Sequence, residues 1–476
     1  MITLCKITAS KPNIVTKRFN FIDGELRKET SASVYAGNMQ VVQLGNIQDF
    51  ADLLVGLGTN QCLTYGVPPR DAALVTEAEW VQLGKPDDSL PRSKSVFQWP
   101  SGPGIMMLDY DAPKDGGAAL DRDSLVAALT EAVPALLKHP ALWWPSTSSC
   151  IYAGDAELAG IKGQRIYLHV KDGNDIERAG KALTTRLWAL GHGRYEVSAS
   201  GSLLERCLFD TSVWQSNRID FAAGAACGLG LEQRRGRPVS IGTGEAPLDT
   251  FMAIPDPTHS EIEAAKVAKK TARLAVADEA EEARLTYITE RTDALVDVGV
   301  DATVARQLVV RAAGNRDLGG DWPIIYRNED GQEATATVLE ILDNPYKYHE
   351  LKTLDPLEPD YDGRRWVGKL YLFTARPNLH SLAHGGANFR LRRQPVRIEI
   401  VAGKAYETTN ALLDVFRCAP DLFDFGSEIV TVHCGSIHPL NEHSVAYAAG
   451  GLTRFWRWHR LPNGEMVEQL TNPPAD

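Results

Sequence analysis

Between Ser260 and Leu295 the chain contains neither Gly nor Pro and is rich in Ala, Glu, Lys and Arg. Nothing in this stretch breaks an i to i+4 hydrogen-bond ladder, and its charges alternate in sign as they do on a solvated helix face. It must fold as one long charged helix or as a helical pair, and it therefore divides the protein. The segment ahead of it, Ile254-Pro-Asp-Pro-Thr258, is a boundary signal, because each proline removes a backbone donor. The reading is a first folded region over residues 1–253, a helical connector over 254–320 and a smaller mixed α/β region over 321–476, where strand and turn signals return and run to Trp458. A chain of 476 residues has room for this division at roughly 100–200 residues per domain.

With 44% apolar and 23% charged residues, each folded region can bury a core of its own. The net charge of −11 excludes a nucleic-acid binder that works through overall basicity and leaves only local basic tracts for such a role. Seven cysteines (Cys5, Cys62, Cys150, Cys207, Cys227, Cys418, Cys434) are scattered and never form a C-x-x-C pair. They indicate neither a disulfide framework nor a zinc ribbon and suit a reducing cytoplasm. Cys418, His433, Cys434, His438 and His443 follow no standard zinc spacing and read as packing residues. No signal-peptide core opens the chain and no run of eighteen apolar residues occurs, so a soluble cytoplasmic protein without membrane contact is expected.

Within the first region, strand and helix signals alternate from the loop Pro100-Ser-Gly-Pro-Gly104 to about Leu248. Ile105–Asp109, Arg165–Val170, Tyr195–Ser200 and Arg206–Phe209 read as strands, and Ser124–His139 and Asp175–Leu190 as helices, which favours a mixed α/β domain. The sharpest local feature is Met106-Met-Leu-Asp109-Tyr-Asp111, an apolar run closing on two acids two positions apart. On a strand both carboxylates face one spot, an arrangement that attracts a hard divalent cation such as Mg²⁺ or Mn²⁺. An Asp-rich turn leading to Asp115-Gly-Gly is the plainer alternative. A two-metal site needs a third acid, and Asp210, which ends the apolar Cys207-Leu-Phe-Asp, is the candidate; a strand-end cap is the other role open to it.

Between these acids lies Gly160-Ile-Lys-Gly-Gln-Arg165-Ile-Tyr-Leu-His169. Its glycines allow backbone N–H groups to approach phosphate, while Lys162 and Arg165 add charge; an ordinary hairpin with surface charges has the same signature. At about 3.3 Å per residue, Arg165 and His169 lie roughly 13 Å apart, so only one of them can serve a triphosphate at the acids.

The acid pair, the small-x-basic triplet Gly163-Gln-Arg165 and the segment Phe209-Asp-Thr-Ser-Val-Trp-Gln-Ser-Asn-Arg218 follow one another in an order that resembles the three motifs of the archaeo-eukaryotic primase superfamily, the primase-polymerases. The resemblance covers roughly residues 100–225. It implies a primase-polymerase catalytic domain with a mixed sheet, metal ligation by Asp109, Asp111 and Asp210, and nucleotide contacts from Lys162, Arg165, His169 and Arg218. The family's second motif is usually Ser-x-His; this chain has Gly-x-Arg, so Arg165 and His169 both stay open for the phosphate contact. More loosely, the chain is similar to the front portion of primase-helicase replication proteins of phages, plasmids and integrated elements, including His380-Ser-Leu-Ala-His384-Gly-Gly and the approach to Asn472-Pro-Pro. That similarity implies single-stranded DNA template and nucleoside triphosphates as partners, with a helicase domain or partner beside them.

A helicase phosphate loop is not legible: Gly363-Arg-Arg-Trp-Val-Gly368-Lys369-Leu370 lacks the Ser or Thr that ligates Mg²⁺ and runs into a strand pattern. The tracts holding Arg234 and Arg235, and Arg390, Arg392 and Arg393, can grip a nucleic-acid backbone or serve as plain surface charge. Two other functions fit the same residues. One is a metal-dependent nuclease, which needs no triphosphate pocket; the other is a non-catalytic replication initiator that binds DNA through its arginines.

Overall fold

The computed structural model describes the chain except residues 31–32, 114–118, 375, 394–395, 418–421, 426–427, 434–435, 442–443, 446–448, 450–452, 462–463 and 472–476. Cys418, Cys434, His443, the Asp115 turn and Asn472-Pro-Pro lie outside the described residues. The fold is mixed α/β and divides into two compact units, residues 1–197 with 203–279, and residues 198–202 with 280–476.

In the first unit β1 (Ile2–Lys11) pairs antiparallel with β2 (Ala36–Leu44), and the chain then turns into α1 (Ile47–Val55). Asn46 starts that helix with a full capping box, its side chain accepting from the N–H groups of Gln48 and Asp49 while Asp49 reaches back. Next, β3 (Gln61–Thr64) closes on the other side of β1. These strands form the middle of a six-stranded sheet.

The chemistry-bearing segment follows as β4 (Gly104–Asp111), α2 (Arg122–Ala132), β5 (Ala141–Pro145), β6 (Gly163–Val170) and α3 (Ile176–Ala189). The helix expected over Ser124–His139 stops at Ala132, because Pro134 forces Val133 out of the helical region (φ −135°, ψ 79°). A single 3₁₀ turn, Leu136–Lys138, takes up the rest. Val239–Ser240, β5, β6 and β4 form a four-stranded antiparallel sheet in that order, leaving β4 at its edge. The strand β7 (Ile219–Asp220) returns the chain to the first sheet, alongside β3.

Both faces of the four-stranded sheet are covered, which explains the unbroken burial of β6 from Gly163 to Val170. On one face Tyr167 packs edge-on against Phe50 of α1 and Tyr65 beyond β3, with ring centroids 5.2 and 6.3 Å away. On the other, Gln164 donates to the carbonyl of Leu120 just ahead of α2, and Leu125, Leu129, Ala179, Leu183 and Leu187 of the two helices complete the same core. Gly180 in α3 has a steric reason: a Cβ there would stand 2.3 Å from the Trp214 ring, so the indole lies directly on the helix backbone. Gly180→Ala is expected to lower the unfolding free energy by about 1–3 kcal/mol, the usual cost of overpacking, and a urea midpoint equal to the wild type's would contradict this packing.

The charged stretch is a helical pair, α4 (His259–Ala275) and α5 (Ala277–Asp297), followed by α6 (Ala302–Asn315). The expected connector is therefore shared. In the first unit α4 packs on α3, where Arg186 meets Glu261 at 3.0 Å. Tyr287, Ile288 and Leu295 of α5 instead join Leu308 and Val309 of α6 in the core of the second unit, with Trp322 and with Leu370, Leu379 and Phe389 of its seven-stranded sheet. Gly368–Tyr371 is a strand of that sheet, which is why the phosphate-loop lookalike has no helix to follow it. His380 lies on the neighbouring strand Asn378–Ser381, and His384 sits on a short turn with φ +51°. Leu470 and Thr471 belong to a strand, Met466–Thr471, paired with Thr453–Arg460. No helix among the described residues is long and apolar enough to cross a membrane.

Candidate active site

The antiparallel register of β4 and β6 sets Asp109 opposite Arg165 and Asp111 opposite Gly163. Residues directly opposite each other share a face, so both acids and the guanidinium stand on the side of the sheet that faces Tyr65. Gly163 is required there. A Cβ at this position would lie 2.5 Å from Ser146 Oγ and 3.0 Å from Asp111 Oδ1, so the bare backbone makes room for the second carboxylate. Ser149 braces the entrance to β6: its Oγ accepts the N–H groups of Lys162 and Gly163 at 3.0 and 3.2 Å. This fixes the backbone of Lys162 beside the acids with its side chain exposed.

The free edge of β4 receives the third acid. The Asp210 N–H donates to the Asp109 carbonyl at 2.9 Å, and the Trp214 indole N–H donates to the Met107 carbonyl at the same distance. Residues 210–214 are thus pinned along the strand at two points. The Asp210 carboxylate accepts the N–H and Oγ–H of Ser212 at 2.8 and 2.9 Å, a cap that orients it. The cap role and a place beside the acid pair are therefore held by one residue.

Arg165 is the centre of the electrostatics. Its side chain is 11% exposed; Nη1 lies 2.6 Å from Asp220 Oδ1 and donates to the Phe221 carbonyl at 3.1 Å, while Nε stands 3.5 Å from Asp109 Oδ1. Asp220 Oδ2 accepts the hydroxyls of Tyr65 and Tyr167 at 2.5 and 3.1 Å. Burial pushes the Asp109 carboxyl up to about 6; Arg165 pulls it down, and Asp111, Asp220 and Asp210 push it up further. Burial disfavours the Arg165 charge, yet Asp220, Tyr167 and Asp109 hold the guanidinium protonated. Lys17 stands in the field of Asp111 and Asp109 from the hairpin Lys17–Thr30, its ammonium disfavoured by burial and supported by Asp111.

The site thus gathers Asp109, Asp111, Arg165 and Asp210, flanked by Lys162. Several expected residues lie elsewhere. His169 is at the far end of β6, opposite Ile105, so Arg165 is the one of the two that stands at the acids. Arg218 is exposed in the turn before β7, its N–H bonded to the Gln215 carbonyl. Arg234 pairs with Glu232 and lies over Tyr152. Arg235 belongs to the wall and not to a surface tract: it stacks 3.6 Å over Trp144, donates to the Ala222 carbonyl, and burial lowers its pKa to about 10. In the second unit Arg390 and Arg392 share Asp317, and Arg393 pairs with Asp343. Asp220, Tyr65, Tyr167 and Lys17 escape sequence reasoning. Only Asp220 has a sequence signal, an acid enclosed between Ile219 and Phe221, of the same kind that singles out Asp109.

His169 makes a separate prediction. Burial, helped by the N-terminal ammonium, lowers its pKa to about 4, and its Nε2 is buried without a hydrogen-bond partner. The folded protein keeps this imidazole neutral while the unfolded chain protonates it near pH 6.5, so its stability contribution is full above that pH and is lost as pH falls toward 4. The loss is at most about 3 kcal/mol. Comparison of urea midpoints for wild type and His169→Gln from pH 7 to 4.5 is expected to show the steeper fall in the wild type; parallel curves would contradict it.

As donors, the three carboxylates suit Mg²⁺ or Mn²⁺, which take hard oxygen ligands, and ligating carboxylates are commonly hydrogen-bonded as Asp210 is. Among the described residues no three His, Cys, Asp or Glu side chains converge closely enough to enclose an ion; the carboxylates fit such a cation in donor type and strand placement and are not gathered around one. No family model, curated protein or solved structure matches the chain.

Proposed function

We propose that the protein is a DNA primase-polymerase, which transfers nucleotides from nucleoside triphosphates to a growing strand on single-stranded DNA, in replication of a mobile genetic element and beside a helicase partner. The observation that carries the reading is the meeting of three sequence-distant segments at one strand end: Asp109 and Asp111 on β4, Gly163 and Arg165 across the ladder, and Asp210 bonded to the free edge. In the reaction a strand 3′-hydroxyl attacks the α-phosphorus of the triphosphate, and the bond to pyrophosphate breaks. Held by Asp109, Asp111 and Asp210, Mg²⁺ or Mn²⁺ would supply charge neutralisation for the triphosphate and acidify the 3′-hydroxyl. Lys162, exposed beside Asp111, contacts the triphosphate, and Arg165 reaches it with the donors that Asp220 and Phe221 leave free.

The test is incubation of the full chain with unprimed single-stranded template, labelled ribo- and deoxynucleoside triphosphates and Mg²⁺ or Mn²⁺, beside a triple Asp109/Asp111/Asp210→Ala variant. New strands from the wild type alone are expected. Template cleavage without synthesis, unaffected by Lys162→Ala, would replace this reading by the nuclease. Template binding with no product from either protein would replace it by the non-catalytic binding module.

A further inference from the structure

We propose that Asp220, held by Tyr65 and Tyr167, is a positioning residue that draws the Arg165 guanidinium off Asp109 and so keeps the Asp109–Asp111 strand end open to a divalent cation. Its consequence for strand synthesis rests on the primase-polymerase reading; its consequence for cation binding does not.

The geometry is a contest between two carboxylates for one guanidinium. Asp220 is 1% exposed and forms an ion pair with Nη1 at 2.6 Å, whereas Asp109 stands 3.5 Å from Nε; Nε and Asp220 Oδ1 are both buried without a hydrogen-bond partner, so the two contacts differ in distance and not in hydrogen bonding. A charge-assisted N–H to carboxylate bond closes to roughly 2.7–2.9 Å when nothing restrains it. The restraint comes from the far side. Two phenolic hydroxyls fill Asp220 Oδ2, and their rings are locked edge-on to each other and to Phe50, with centroids 5.2 to 6.3 Å apart. The Phe221 carbonyl takes a second contact from Nη1. Without Asp220 the same guanidinium would close on Asp109, the one other carboxylate within 4.0 Å of it among the described residues, and an acid engaged in that way has few lone pairs left for a cation.

The test measures Mn²⁺ binding to the full chain by electron paramagnetic resonance, without nucleotide, for wild type, Asp220→Asn, Arg165→Gln, the double variant and Tyr65→Phe. Asp220→Asn is expected to weaken Mn²⁺ binding about tenfold, within the range of coupling between groups in contact. In the Arg165→Gln background the same substitution is expected to change affinity by less than about twofold, since the guanidinium it restrains is gone. Equal losses in both backgrounds would mean that Asp220 acts only as a distant charge, and would overturn the proposal. Tyr65→Phe alters no charge and removes one hydroxyl from Asp220; it is expected to weaken binding about two- to threefold, and wild-type affinity in this variant would also overturn the proposal. It keeps the test decisive if Asp220→Asn does not fold. In strand synthesis the Mn²⁺ concentration for half-maximal rate is expected to rise by the same factors in Asp220→Asn and Tyr65→Phe. A wild type that binds Mn²⁺ with the expected coupling but makes no strands would sink the primase-polymerase reading and leave this inference standing. A wild type that binds no Mn²⁺ would sink this inference.

Discussion

Asp109→Asn is expected to lower strand synthesis by about 10³-fold, the several kcal/mol that a metal-held charge contributes at a reacting phosphate, while raising the stability of the fold at pH 8. The two effects have one cause. The carboxyl of Asp109 is pushed up to about 6 by burial and by the acids around it, so its charged form is disfavoured in the folded protein at any pH above the unfolded value near 4. A group shifted in this direction takes stability away as pH rises through that window, and the loss is complete above about 6. The amide has the same shape without the charge, and Arg165 retains Asp220 at 2.6 Å. A gain of about 1–3 kcal/mol in urea unfolding at pH 8, absent at pH 4, is the expected signature. A variant that lost activity and stability together would point to a structural role for Asp109. Stability sacrificed for a charge at one place is what a reacting site requires.

Arg165→Met is expected to destabilise the first unit by about 3–5 kcal/mol, the largest stability effect of any single change in the site. The reason is the partner left behind. Asp220 is buried with two phenols and a guanidinium around it, and loss of the guanidinium strands its charge in an apolar setting. Adding Asp220→Asn is expected to recover at least half of the loss, because an amide tolerates burial with hydroxyl partners far better than a carboxylate does. Denaturant midpoints of the two single variants and the double variant decide this; additive losses would show that the two groups are not coupled.

Much of the fold was legible in the chain because its signals are local. In the structure Asn46 with Asp49, and Thr258 with Glu261, form four-residue capping boxes, and both helices begin there. The strands carrying Asp109 and Arg165 were placed to within two residues, since apolar runs bounded by Gly and acid allow little else. The boundaries that slipped did so for local reasons of another kind, as at Pro134, whose effect falls on the residue before it. The division of the charged stretch was less legible: α4 and α5 have similar compositions, yet α4 packs in the first unit while α5 puts Tyr287, Ile288 and Leu295 into the second core.

The sequence by itself determined two acids closing β4 and a basic residue early in β6, and it singled out Asp210 as an acid after an apolar run, although the strand there, Leu203–Cys207, ends three residues before it. Alternation along a strand also settles that Asp109 and Asp111 share a face, because a two-residue period is a property of the backbone. Only the tertiary structure decided what those groups meet. Register set Asp109 opposite Arg165 instead of leaving His169 near the acids, the free edge of β4 brought in Asp210 and Trp214, and the return of β7 delivered Asp220 to Tyr65 and Tyr167. These partners lie between 53 and 155 positions apart in the chain where they are hydrogen-bonded across the site. At such separations no local propensity acts, and pairing is set by how two sheets bury their apolar faces against each other.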